Sequence, residues 1–361
     1  MELKSKVGKP FGRRPEMKIQ KVSFEESLEK GVVLPGKCVG CAACVVVCPL
    51  SCLDYVEQKP KIAKECKVCG ICPQVCPQYD LSWPALEEFV FERRSKPEEE
   101  FGIYRRVVIA QATDKNILQV CQDGGVVSAL LSFALRNGTI DGAAVSGVSG
   151  ERMLYPVPRL ATTPKEVSEC AGTRYFYSPN LLALQEGVKQ NKKSIAFVGT
   201  PCQTQAIRRI QMFPLKKYTE RLGFVIGLMC TESFTYHGLM EKHIQEVMGI
   251  NPQDIKKINI KGKVLITMRN GEEKEISLPD AKQHTRTSCV LCSDFSAELA
   301  DISVGGLGLT NWTFTVLRTK KGEELFEEAE KAHVIKTRPV EKEEKALDLL
   351  SRLSTKKRKR R

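Results

Sequence analysis

Eight of the fifteen cysteines fall into two copies of one spacing, each closed by a proline. Cys38, Cys41, Cys44 and Cys48 precede Pro49, and Cys66, Cys69, Cys72 and Cys76 precede Pro77. Both read C-x2-C-x2-C-x3-C-P, the run that holds a pair of iron–sulfur cubanes, in which the fourth cysteine of each run ligates the other cluster. The expected ligand sets are therefore Cys38, Cys41, Cys44 and Cys76 for one cluster, and Cys66, Cys69, Cys72 and Cys48 for the other. Cubane iron favours four soft thiolates, and tight CxxCxxC loops also aim backbone N–H groups at the cluster. A disulfide scaffold or a zinc ribbon would also use cysteines, but neither accounts for a duplicated spacing with a closing proline. The expected chemistry is one-electron transfer.

Further candidates lie downstream. Cys202 sits in Gly199-Thr200-Pro201-Cys202-Gln203 between an apolar strand and a helix, Cys230 ends the next apolar strand, and Cys289 and Cys292 form a CxxC. Each reads as a buried thiol, a helix-start nucleophile or half of a zinc site. Two of them end strands that lead into helices, so the four together would also complete a four-thiolate site at one edge of a parallel sheet. Cys52, Cys121 and Cys170 read as structural. Gln122-Asp123-Gly124-Gly125 leads straight into an apolar helix, where paired glycines let a ligand approach and the helix N-terminus favours a phosphate. Taken alone, such a stretch is more often a plain turn, and it is neither a Walker A loop nor a GxGxxG fingerprint. Gly172-Thr173-Arg174-Tyr175 offers a hydroxyl, a cation and a ring together, or is a surface loop. His237, His243, His284 and His333 show no HxxxH or HExxH pairing and read as solvated or locally bonded.

The elements that must position these groups divide the 361 residues into five stretches. Residues 1–30 form a polar arm, 31–80 a cysteine-rich unit repeating with period 28, and 81–104 a linker with prolines and an acidic run. Residues 105–340 form the body, and 341–361 a C-terminal helix with the basic tail KKRKRR. In the body, strands are expected at 107–113, 143–148, 194–198 and 222–229, alternating with helices at 126–136, 164–171, 181–190, 203–212 and 234–248. The pattern then switches to short strands at 255–260, 264–269 and 274–278 around Asn270-Gly271, a hairpin signal. Strands at 302–304 and 313–317 and helices at 322–332 and 341–353 follow. The body is thus α/β (α+β) with an antiparallel insertion.

Apolar content of 42% and charged content of 27% fit a globular protein with a real core. No run of eighteen apolar residues spans a bilayer, and the N-terminus lacks the apolar stretch of a secretory signal. Abundant cysteines in cluster spacing then point to a reducing, cytoplasmic setting, with peripheral attachment to the membrane face through a complex as the alternative. The net charge of +13 is uneven, and without the tail it is about +7. The tail is either a disordered solubilising end or a dock for an acidic partner or anionic membrane surface. Nucleic acid is not the expected partner, because the basic run has no interleaved aromatics.

The body resembles a known family at these same points. Residues 121–125 with the following helix, 171–175, FVGTPCQTQAIR at 197–208, 228–230 and CVLCSDFSAELADISVGG at 289–306 are similar to the family of coenzyme F420 hydrogenase/dehydrogenase beta subunits. The likeness covers about 105–340, and a bacterial-type two-[4Fe-4S] ferredoxin domain fused to that body resembles the family's dehydrogenase branch. The resemblance implies a flavoprotein body that binds FAD, exchanges hydride with coenzyme F420 and holds one more cubane. It implies Cys202, Cys230, Cys289 and Cys292 as ligands of that third [4Fe-4S] cluster. Gly124, Gly125, Ser128, Thr173, Arg174 and Tyr175 become the candidates for FAD contact. Relatives often carry Ser-Lys-Tyr where this chain has Thr173-Arg174-Tyr175, which keeps the cation and changes its donor geometry.

The expectation is an oxidoreductase that oxidises reduced F420 and passes single electrons to a redox partner protein or a membrane-bound dehydrogenase complex. An F420 reductase running the opposite way with ferredoxin, and a non-catalytic polyferredoxin carrier, are the alternatives. A deazaflavin exchanges two electrons and a cubane one, so a flavin is the required converter. No catalytic side chain is singled out, since hydride transfer rests on stacking the two rings.

Overall fold

The computed structural model describes residues 20–213 and 215–361. The expected arm at 1–30 falls mostly outside them; its described end is the helix Glu25–Val33, which buries Leu28 and Val32, with Phe24 before it, against Cys44, Leu53 and Cys72.

Strands β1 (Leu53–Val56) and β2 (Lys59–Ile62) pair antiparallel in the cysteine-rich unit. The body's sheet takes β3 (Arg106–Ala112), β4 (Gly142–Val148), β5 (Pro156–Ala161), β6 (Ile195–Gly199) and β7 (Leu222–Leu228). A separate antiparallel sheet is built from β8 (Ile255–Ile260), β9 (Val264–Met268) and β10 (Glu273–Ile276), and β11 (Ile302–Gly305), β12 (Thr313–Leu317) and β13 (Ile335–Arg338) return to the main sheet. Its order is β13-β3-β12-β11-β7-β6-β4-β5. The centre, β4-β6-β7-β11, is parallel, and antiparallel strands flank it on both sides. β6 is buried at every position, as a strand covered on both faces must be. The insertion expected from the period switch at 255 is the three-stranded sheet, in the order β10-β9-β8.

The helix Val126–Arg136 lays Val126, Ala129, Leu130 and Ala134 on the sheet and stops at Asn137 and the left-handed Gly138. Pro164–Glu169 starts with a capping box between Thr163 and Glu166. Pro201–Met212 crosses the opposite face, where Ala206, Ile207 and Ile210 pack with Val39, Val46 and Val75 of the cysteine-rich unit. The unit is therefore seated in the body's own core. Arg209 fastens it: Nε donates to Gln74 O at 2.6 Å and Nη1 to Tyr79 O at 2.8 Å.

Three expectations need correction. The sequence pattern missed β5 and β13, the two edges of the sheet, because Pro156 and Pro158 in one and the charged Ile335–Arg338 in the other suit edge strands rather than core strands. The stretch 81–104 is not a bare linker: Trp83–Phe91 is a helix, and its Trp83, Leu86, Phe89 and Val90 pack with Met212 and Leu299. The basic tail is not a free end. The helix Glu344–Arg358 extends into its first half, Lys357 is only 6% exposed, and Arg358 and Arg361 pair with the buried Glu298 at 2.6 and 2.7 Å. Six cations at the end of a chain read as solvated until a buried carboxylate is found beneath them.

Candidate functional site

The repeat of period 28 is written into the backbone. Gly40 and Val68, and Ala42 and Gly70, adopt left-handed conformations at equivalent places; Gly40 and Ala42 lead into the five-residue helix Ala43–Val47, and Val68 and Gly70 into Ile71–Val75. These turns wrap the CxxCxxC segments inward. Burial and the nearby Cys76 and Cys38 push the Cys41 thiol well up, and burial with Cys41, Cys76 and Cys38 does the same to Cys44. Cys72 is pushed up to about 12 by burial and by Cys69, Cys66 and Cys48. Cys48, Cys66, Cys69 and Cys72 also line one small cavity with Phe24 and Leu53. The fourth cysteine of each run thus sits with the other run's first three.

A second thiol group lies in the body. Cys202 enters from the start of Pro201–Met212 after β6, Cys230 from just beyond β7, and Cys289 and Cys292 from the loop after the insertion. Burial with Cys292 and Cys289 raises Cys202 to about 11, and burial raises Cys230 further. The four thiols that the sequence spreads over ninety positions meet beyond the ends of adjacent parallel strands. Among the described residues no three His, Cys, Asp or Glu side chains converge closely enough for a single metal ion. Cubane ligands bond four separate irons and stand further apart. Each set offers four cysteine sulfurs, one for each iron of a cubane. The donor sets therefore fit cubanes.

Groups that sequence reasoning missed surround these thiols. The Tyr177 hydroxyl is 3.8 Å from Cys202 Sγ, and Cys202 in turn bears on Cys41 across the seam with the cysteine-rich unit. Lys357 Nζ donates to Cys230 O at 2.8 Å, Asp294 O at 3.2 Å and Cys292 Sγ at 3.4 Å. Arg360 Nη1 donates to Cys292 O at 3.2 Å. Nothing local in sequence marks Tyr177 or Lys357, which lie 25 and 65 positions from the thiols they touch.

The residues expected to contact FAD gather at the edge of the main sheet facing the insertion. Gly125 is left-handed at the start of Val126–Arg136, and Ser128 is buried in its first turn. Gly124 is pressed on the sheet: its N–H donates to Thr313 Oγ1 at 3.0 Å, and a Cβ there would lie 2.5 Å from Ala110 O. Thr173 is exposed. Arg174 Nη1 donates to the carbonyls of Cys170, Ala171 and Gly172, so its guanidinium caps the end of Pro164–Glu169. The Tyr175 hydroxyl donates to Asn259 Oδ1 at 3.3 Å and accepts from Ile260 N at 3.2 Å, tying this loop to β8. Burial raises Asp123, while Lys261 and Lys257 oppose the rise, so two insertion lysines face the Gly124–Gly125 turn. The helix start, Ser128, Thr173 and these lysines fit the anionic part of a nucleotide. Gly124 and Arg174 are already engaged with the protein.

A mixed eight-stranded α/β body with an antiparallel insertion, two thiol groups in its cysteine-rich unit and a third in the body is the class of protein so defined. Residues 107–185 match the N-terminal part of the family described as coenzyme F420 hydrogenase/dehydrogenase, beta subunit, and residues 192–343 match its C-terminal part. The chain belongs to this family. It is 37% identical over 260 residues to the beta subunit of coenzyme F420 hydrogenase from Methanococcus voltae, covering 71% of this chain and 92% of that one. It is 30% identical over 305 residues to the F component of the F(420)H(2) dehydrogenase from Methanosarcina mazei, covering 80% of this chain and 81% of that one. Against the coenzyme F420-dependent sulfite reductase of Methanocaldococcus jannaschii it is 32% identical, over 86% of this chain and 49% of the relative. Among solved structures, a chain of the F420-reducing [NiFe] hydrogenase complex from Methanosarcina barkeri superposes with a TM-score of 0.70 at 32% identity, covering 74% of this chain and 92% of that chain.

Proposed function

We propose that this chain is the F420-dependent oxidoreductase member of a larger assembly, taking hydride from reduced coenzyme F420 and handing single electrons to a partner. The observation that carries the reading is the adjacency of three thiol groups: Cys202 to Cys41 across the seam, and Cys44 to Cys72 within the cysteine-rich unit. Cys202, Cys230, Cys289 and Cys292 would hold a body cluster; Cys38, Cys41, Cys44 and Cys76 a second; Cys66, Cys69, Cys72 and Cys48 a third. Contiguous clusters serve electron transfer, since a solitary structural metal needs no neighbour.

FAD, when bound, would convert two-electron hydride chemistry into single electrons. Gly125, Ser128 and Thr173 would hold it at the helix start, with Lys257 and Lys261 neutralising its phosphates and the anionic tail of F420. Tyr175 would fix the insertion over this edge, excluding water from the space between the two sheets. Among the described residues no helix is long and apolar enough to cross a membrane, and relatives named as subunits favour a protein partner in a larger complex.

Purification without oxygen, followed by flavin and iron determination and assay with reduced F420 and a viologen dye, tests the reading. About one FAD and about twelve irons per chain are expected. Absence of flavin, with no dye reduction coupled to F420 oxidation, overturns it. Flavin-free protein that still holds about twelve irons would favour the polyferredoxin carrier.

A further inference from the structure

The body thiol group has a cation built into it. Lys357 comes from the last turns of the C-terminal helix and is 6% exposed. An ammonium has three donors and no acceptor. Here they meet Cys230 O at 2.8 Å, Asp294 O at 3.2 Å and Cys292 Sγ at 3.4 Å. The rest of the basic run holds it there: Arg358 and Arg361 pair with buried Glu298, the Arg361 guanidinium lies 3.6 Å from the Trp83 ring centre, and Arg360 binds the carbonyl of Cys292. A lysine needed only to end a helix would reach water. This one is desolvated and directed at a cysteine sulfur.

We propose that Lys357 is a positioning residue that sets the reduction potential of the cluster on Cys202, Cys230, Cys289 and Cys292, with 358–361 as the strap that keeps it in place. The inference rests on the body-cluster reading given above. One electron, supplied by the flavin proposed above, would reduce the cluster; no bond would break and no proton would move. The reduced cluster is one unit more negative, so a fixed neighbouring cation and its N–H···S bond favour reduction. The C-terminal run is then an electrical component of the body rather than a docking tail. It holds the body cluster's potential above the value that the thiolates alone would set.

The test is a redox titration of the anaerobically purified full chain, followed by electron paramagnetic resonance, for wild type, Lys357→Met and Lys357→Arg, with iron counted in each preparation. Methionine keeps an unbranched apolar stem and removes the charge. With about twelve irons retained, Lys357→Met should lower one midpoint by about 59 mV, a tenfold fall in that cluster's reduction equilibrium constant. The other two clusters should not move, and Lys357→Arg should restore most of the shift. A methionine variant with all its iron and an unchanged midpoint overturns the proposal. A wild-type chain with only about eight irons removes the body cluster itself, a result distinct from an unmoved midpoint, and overturns both readings. If the methionine variant loses iron, spin-echo spectra of the reduced wild-type chain labelled with 15N-lysine decide. A lysine nitrogen coupled to the body cluster and lost in Lys357→Arg supports the proposal, and no such coupling overturns it.

Discussion

The guanidinium of Arg286 lies 4.1 Å from the centre of the Tyr177 ring, and its Nη1 donates to Val39 O at 3.0 Å. One side chain thus joins the loop that carries Cys289, the ring beside Cys202 and the backbone between Cys38 and Cys41. Arg286→Leu removes a stacked cation and a charged hydrogen bond, and should cost about 2 kcal/mol. Urea unfolding of the loaded chain measures this. Stopped-flow reduction should also slow between the body cluster and the cysteine-rich unit, and an unaltered rate would show that the electron route does not cross this seam.

Cys289→Ala deletes one thiol of the body group and leaves the period-28 repeat untouched. Iron should fall from about twelve to about eight per chain, while flavin and the two remaining clusters persist. Full iron in the variant would show that Cys289 is not a ligand.

Glu298 is 1% exposed and bears two arginines, Arg358 and Arg361. Burial disfavours its charge, yet the two guanidiniums hold its pKa below the ordinary carboxylate value. Glu298→Ala should destabilise the chain by about 3 kcal/mol, because it removes the buried carboxylate with which Arg358 and Arg361 both pair. A chemical denaturation midpoint close to wild type would contradict that.

His284 Nε2 meets His243 Nδ1 at 3.3 Å, linking the helix Tyr236–Val247 to the segment that leads into Arg286. Burial, and then His243, lower its pKa below the ordinary 6.5. A base with a depressed folded pKa binds fewer protons folded than unfolded, so stability rises with pH through the window up to about 6.5 and is lost as pH falls through it. Unfolding followed at pH 8 and at pH 5.5 should show the chain weaker in acid, and His284→Gln should flatten that difference. A variant with the wild-type pH profile would place the acid sensitivity elsewhere.

The cysteine spacing at 38–76 already carries the repeat of two left-handed turns and two short helices, because those contacts are local. The same holds for Val126–Arg136 with its Asn137-Gly138 stop and for the Thr163 capping box, where start and stop residues stand next to the apolar pattern they bound. β5 and β13 were not legible because edge strands tolerate prolines and charges that a core strand would not.

What the sequence determined by itself was the inventory: twelve thiols in cluster-like settings, alternating strands and helices, and a switch to antiparallel strands near 255. The tertiary structure decided the adjacencies. It put Cys202 beside Cys41, turned Arg174 onto the carbonyls of Cys170 to Gly172, seated Trp83–Phe91 against the body, and folded Lys357 beneath Cys292. The physical reason is the same in each case. A thiol, a guanidinium or an ammonium has no meaning in a sequence until burial removes its water and leaves it only the partners that the fold supplies.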